Sequence, residues 1–148
     1  MLKHEALNLT EDMMTQHGLR GWKALINNSR SQLGYCHWTK KTIALSIFHV
    51  TGSSDDKIMN TILHEIAHAL VGPSSNPHGS AWQRKALEIG CNAERCGYMN
   101  APKKYTGECR WCGKQFGVNR RTKFACSDCC NEHNKGKYSE TFLVIWNS

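Results

Sequence analysis

Polar and apolar positions alternate in three different rhythms along the first hundred residues, and each rhythm predicts an element. Over residues 4–17, Leu7, Leu9, Met13 and Met14 supply the apolar members of a short amphipathic helix. Three β-like runs follow at residues 22–27, 32–38 and 42–48. The polar groups Asn28-Ser29-Arg30 and Thr39-Lys40-Lys41 between them suit hairpin turns, so a small antiparallel sheet is expected. Ser53-Ser54-Asp55-Asp56 then reads as a helix start, because a Ser hydroxyl accepts from an orphan backbone N–H and acids complement the positive helix end. Ile58, Met59, Ile62, Leu63, Ile66, Ala67 and Leu70 recur every three or four residues up to Gly72-Pro73, which predicts a deeply packed helix over residues 55–71. Residues 72–79 read as loop and residues 80–89 as a second helix that packs through Trp82, Ala86, Leu87 and Ile89. A linker near residues 97–105 leads to a cysteine-rich module.

The packed helix carries chemistry. His64-Glu65-Ile66-Ala67-His68 places two imidazoles four residues apart, on one helical face and within reach of one ion. A catalytic zinc takes three protein ligands and keeps one position open, and Glu65 stands beside the first ligand to take a proton from the attacking water. Polar groups in so apolar a helix are costly without a partner, and a metal supplies one. The extended metzincin pattern would require Gly at 71 and His at 74, where this chain has Val71 and Ser74. Glu88 on the second helix and His78 at its entry are the remaining candidates for third ligand. His78 fits better, because a loop residue folds back over the first helix.

Cys109-Arg110-Trp111-Cys112 and Cys126-Ser127-Asp128-Cys129 form two C-x-x-C knuckles with zinc-ribbon spacing. A closed four-cysteine site offers no open position and implies a structural zinc that stabilises a module too small to hold itself together. Cys130 adjoins Cys129 and competes with it as last ligand. Cys36, Cys91 and Cys96 read as small buried apolar residues and stay unassigned.

These features together resemble the SprT-like family of metallopeptidases, which includes the Spartan-type proteases. The resemblance rests on Gly34-Tyr35-Cys36, Ile43-Ala44-Leu45-Ser46, Leu63-His64-Glu65-Ile66-Ala67-His68, His78-Gly79 followed by Trp82, and then the ribbon. It implies an α+β fold with a zincin-like minimal core, in which a small antiparallel sheet packs with the metal-binding helix and a second helix, followed by the ribbon. The metallopeptidase domain is expected at residues 1–100 and the ribbon with a C-terminal strand at 101–148. The family's third ligand is the His before Gly, which favours His78, and its Spartan-type members act on DNA–protein crosslinks.

Composition adds compartment and partner. Hydrophobic residues at 40% and charged residues at 21% describe a chain that folds. The start lacks a secretory pattern, and the longest apolar runs are too short to span a bilayer, so an intracellular chain, cytoplasmic or in the nucleoid or nucleus, is expected. The net charge of +7 is uneven: residues 1–100 carry +2, residues 101–137 carry +6 and the tail −1. Arg110, Lys114, Arg120, Arg121 and Lys123 interleave with Trp111, Phe116 and Phe124 there, which suits single-stranded or damaged DNA as a partner beside the protein substrate. The chain ends at Ser148, so recruitment through the long tails of larger relatives is not expected. Two other functions fit the same residues: a zinc peptidase with a substrate unrelated to DNA, and a non-catalytic, zinc-stabilised nucleic-acid-binding module.

Overall fold

The most buried strand decides how the first sheet is ordered. In β3 (Thr42–Ser46) Ile43, Ala44, Leu45 and Ser46 are all buried, whereas β1 (Lys23–Asn27) and β2 (Gly34–His37) each bury only one residue fully. A strand covered on both faces takes the centre, and the order is β1-β3-β2. The computed structural model describes residues 1–94, 97 and 101–147, which divide into two compact units, Met1–Ala101 and Pro102–Ser148.

The expected antiparallel sheet is therefore corrected to a mixed one: β2 pairs antiparallel with β3, but β1 pairs parallel with it, Lys23 opposite Thr42 through Asn27 opposite Ser46. Residues 28–33 make no hairpin. They carry the chain past β3, and two bonds fix the crossing at the end of that strand: Ser46 N–H donates to the Leu33 carbonyl (2.9 Å) and Ser46 Oγ to the Ser29 carbonyl (2.6 Å). A second correction lies just beyond. The run expected to continue to residue 48 stops at Ser46, whose Oγ accepts from Phe48 N–H (3.2 Å) and caps a six-residue helix, α2 (Ile47–Gly52).

Helix α1 (Lys3–Gln16) buries Ala6, Thr10 and Met14, one residue per turn, while Leu7, Leu9 and Met13 pack more loosely on the same core. Thr10 satisfies its hydroxyl by donating to the Ala6 carbonyl (2.7 Å), which lets a polar residue sit in that stripe. Helix α3 (Asp55–Val71) starts at Ser54, whose hydroxyl accepts from Lys57 N–H, and ends at Gly72, held at φ +86° with its N–H on the His68 carbonyl. Ile58, Ile62 and Ile66 are fully buried along one face against α1 and the sheet, each contributing about 2–3 kcal/mol. The opposite face meets α4 (Ser80–Glu88), where Leu63 and Ala67 pack with Trp82, Ala86 and Cys91. Helix α3 is thus apolar on two sides, and its remaining stripe carries the histidines.

In the second unit β4 (Tyr105–Cys109) pairs antiparallel with β5 (Gln115–Val118) on one side and β6 (Val144–Trp146) on the other. The β4–β5 turn is tightened by Gly113 at φ +75°, whose N–H donates to the Cys109 carbonyl. Helix α5 (Ser127–His133) begins directly after Cys126. The core of this unit is four cysteines, Cys109, Cys126, Cys129 and Cys130, with Phe142. So small an apolar centre does not carry a fold without a further cross-link.

Candidate metal centre and catalytic carboxylate

Three imidazoles converge at the stripe of α3 left between its two packed faces, where His68 is buried and His64 half-buried. The Nε2 atoms of His64 and His68 lie 3.2 Å apart, those of His68 and His78 3.1 Å, and those of His78 and His64 3.2 Å. Tetrahedral zinc bound to imidazole at about 2.0–2.1 Å separates neighbouring ligand atoms by about 3.3 Å, so this donor triangle fits one ion. Burial, together with the neighbouring histidines, pulls both His64 and His68 down to about 4. At neutral pH they are uncharged, the form that ligates a metal. His78 reaches the triangle from the loop ahead of α4. Glu88 does not: it is exposed and pairs with Lys85 (3.0 Å).

The site is framed by two indoles. Trp82, 1% exposed, places its ring 4.6, 5.2 and 4.8 Å from those of His64, His68 and His78, and its Nε1–H donates to the His64 carbonyl (3.3 Å). Trp38, just after β2, donates to the His68 carbonyl (2.9 Å). Both indoles therefore hold the backbone of the turn that presents the two imidazoles of α3. Sequence periodicity assigns Trp82 to packing only and gives no sign of Trp38, because the contact spans thirty residues.

Glu65 is 7% exposed and lines the same cleft as the histidines, a space of about 920 Å³ running beneath β2. Burial raises its carboxyl to about 8, and no hydrogen bond or ion pair holds it among the described residues. A carboxyl with a raised proton affinity beside a ligand set has the properties of a general base. Cys36 lines the cleft too, but burial first and the Glu65 charge second push its thiol up to about 12, which removes it as a nucleophile. Cys91 is buried in the α3–α4 core; Cys96 lies outside the described residues.

In the second unit the sulfur atoms of Cys109, Cys112, Cys126 and Cys129 lie within 4.8 Å of one another, with Cys109 and Cys129 3.9 Å apart. Zinc–sulfur bonds of about 2.3 Å in a tetrahedron separate sulfurs by about 3.8 Å, so this set also fits. Although burial opposes it, hydrogen bonds from the backbone of Cys112 and Trp111 bring the Cys109 thiol down to about 7, toward the ligating thiolate. Cys130 is buried but outside the cluster.

The basic residues of this unit differ in their engagement. Lys114 pairs with Asp128 and Lys123 with Glu140, while Arg121 lies over the Tyr105 ring (4.9 Å). Phe116 and Phe124 pack on each other, and Phe124 on Trp146, so they serve the core. Trp111 is 60% exposed, and Arg110 and Arg120 are exposed. Among the described residues no helix is long and apolar enough to cross a membrane.

No curated protein matches the chain. The crystal structure of the metallopeptidase zymogen of Pyrococcus abyssi abylysin is similar to it at a TM-score of 0.43 and 21% identity, covering 60% of this chain and 88% of that one. The sequence pattern of the SprT-like family matches residues 4–105, from α1 through the histidine triangle to the start of β4, and the chain belongs to that family.

Proposed function

We propose that the chain is a zinc-dependent endopeptidase, associated with DNA and acting on proteins bound or crosslinked to it. The observation that carries the catalytic part is the triangle of three Nε2 atoms 3.1–3.2 Å apart with Glu65 on the adjoining helical position, opening on one cleft. His64, His68 and His78 would hold the ion, which when bound supplies Lewis acidity toward the scissile carbonyl and the attacking water. Glu65 takes the proton from that water and returns it to the departing amine. Strand β2 is a sheet edge along the cleft, and its outer backbone, unpaired among the described residues, suits an extended peptide laid alongside it. Trp82 and Trp38 hold the ligand-bearing turn still through the cycle.

DNA association is supported by the positive charge of residues 101–137 and by exposed Arg110, Trp111 and Arg120 at the ribbon, with the family resemblance pointing the same way. The carboxylate partners of Lys114 and Lys123 favour a second reading, a peptidase whose substrate is unrelated to DNA. Casein cleavage by wild type and Glu65→Gln, with and without single-stranded DNA, separates the two. Stimulation by DNA supports the first reading, DNA-indifferent cleavage the second, and cleavage by Glu65→Gln at the wild-type rate refutes both.

A further inference from the structure

A ligand histidine works only if its ring presents a lone pair to the metal, and that requires the proton to be held on the other nitrogen. The Nε2 of His64 faces the other two imidazoles, and the ring also has a hydrogen bond with the Glu94 backbone that favours the protonated ring, as a carbonyl acceptor at the other nitrogen does. Glu94 lies in the loop after α4, which has no strand or helix to fix it. Its position comes from an amide pair. Asn60, one helical turn before His64 and on the same face of α3, donates from Nδ2 to Asn92 Oδ1 (3.2 Å) and accepts at Oδ1 from Asn92 N–H (2.9 Å). Asn92 Oδ1 also accepts from Glu94 N–H (3.0 Å), and the thiol of Cys91 donates to the Asn60 carbonyl (3.7 Å). Between them Ala93 takes φ +58°, a left-handed conformation that costs an L-residue roughly 1–2 kcal/mol. That cost is offset by the bonds on either side, and the reversal it makes carries Glu94 back to α3. Asn60, Asn92, Glu94 and His64 all border the same cleft.

We infer that Asn60 and Asn92 form a latch that positions His64 as a metal ligand, by holding the Glu94 carbonyl against the ring so that Nδ1 keeps the proton and Nε2 faces the ion. The inference rests on the reading of His64 as a ligand. The latch uses only the oxygen of the Asn92 amide, so Asn92→Asp retains it and Asn92→Ala removes it.

The test uses the full chain. Zinc affinity of the histidine centre is measured by chelator competition, and the His64 tautomer by nitrogen-correlated NMR of protein freed of metal at that centre. Asn92→Ala and Asn60→Ala each weaken zinc about 10–100-fold, the range typical for loss of a ligand's supporting group. The double variant is no weaker than either single one, because the two residues act as one unit. Asn92→Asp stays near wild type, and the single Nδ1–H tautomer expected in wild type becomes a mixture in the alanine variants. Wild-type affinity in both alanine variants, an unchanged tautomer, or additive losses in the double variant overturn the latch; if one alanine variant fails to fold, the other carries the readout. His64→Ala separates the two levels. If it retains zinc at the histidine centre, the ligand reading itself fails; if it loses zinc while the alanine variants do not, only the latch fails.

Discussion

A methyl group added at Gly34 tests how tightly Glu65, the proposed general base, is held. Gly34 opens β2, and a Cβ there would sit 3.0 Å from Thr61 Cγ2, 3.1 Å from Glu65 Cγ and 3.2 Å from Glu65 Oε1. Ordinary carbon contacts begin at roughly 3.5 Å, so each is short by a few tenths of an ångström. Thr61 cannot give way, because its hydroxyl is fixed by His49 Nε2 (2.8 Å) and by the Lys57 carbonyl (3.1 Å). The carboxyl of Glu65, which has no such bond, moves instead. Overpacking of this kind costs about 1–3 kcal/mol in stability, and misplacing a catalytic group by up to 1 Å costs up to about 100-fold in rate. Gly34→Ala is therefore expected to lower kcat by about ten-fold or more, with zinc content unchanged and KM little affected. Peptide-cleavage kinetics, zinc analysis and a thermal melt on the same preparation check this. Wild-type kcat, or a loss of rate that tracks a loss of zinc, would show that the added methyl does not displace the Glu65 carboxyl.

Trp82→Ala removes a large ring packed against all three imidazoles and should cost about 3–5 kcal/mol, read in a denaturant melt, whereas Trp82→Phe keeps most of the packing and loses the bond to the His64 carbonyl. Cys129→Ser should release the ribbon zinc and Cys130→Ser should not, since Cys130 stands outside the sulfur cluster; thiolate-zinc analysis after each change decides it. For pH, the carboxyl of Glu65 sits at about 8 in the folded chain against 4.5 otherwise, a raised value, so the stability linked to it is full below about pH 4.5 and lost as pH rises through 8. Metal-free wild type should therefore fall in melting temperature relative to metal-free Glu65→Gln between about pH 5 and 8. His64 and His68, lowered to about 4, cost stability only as pH falls from 6.5, and they do so equally in both proteins. Parallel melting curves across that range contradict the burial of Glu65.

What could be read from the sequence follows from how local each signal is. Helix α3 was legible at both ends, since Ser54 caps it and Gly72 stops it, and its two imidazoles lie one turn apart on the page as in space. The parallel pairing of β1 was not legible, because it is decided by how deeply β3 is buried, a property of the assembled core. Helix α2 was missed because Ile47-Phe48 reads as more strand, and the signal against it was the single capping hydroxyl of Ser46. His78 was favoured over Glu88 by its place in the loop ahead of α4 and then by likeness to a family, whereas its spacing from the pair on α3 says nothing of the approach. Gly34, Trp38 and the Glu94 carbonyl serve the centre from distant segments, and a lone sequence holds no record of such contacts.

In the proposed enzyme three histidines bind one catalytic zinc, apart from the ribbon's, and Glu65 acts beside it. Zinc per chain and casein cleavage, measured on the same preparations of wild type, His78→Ala and Glu65→Gln, decide it. Two zinc ions and cleavage are expected in wild type, one ion and no cleavage in His78→Ala, and two ions without cleavage in Glu65→Gln. A wild-type chain with zinc at the cysteines alone, or His78→Ala that keeps both ions and still cleaves, would contradict it.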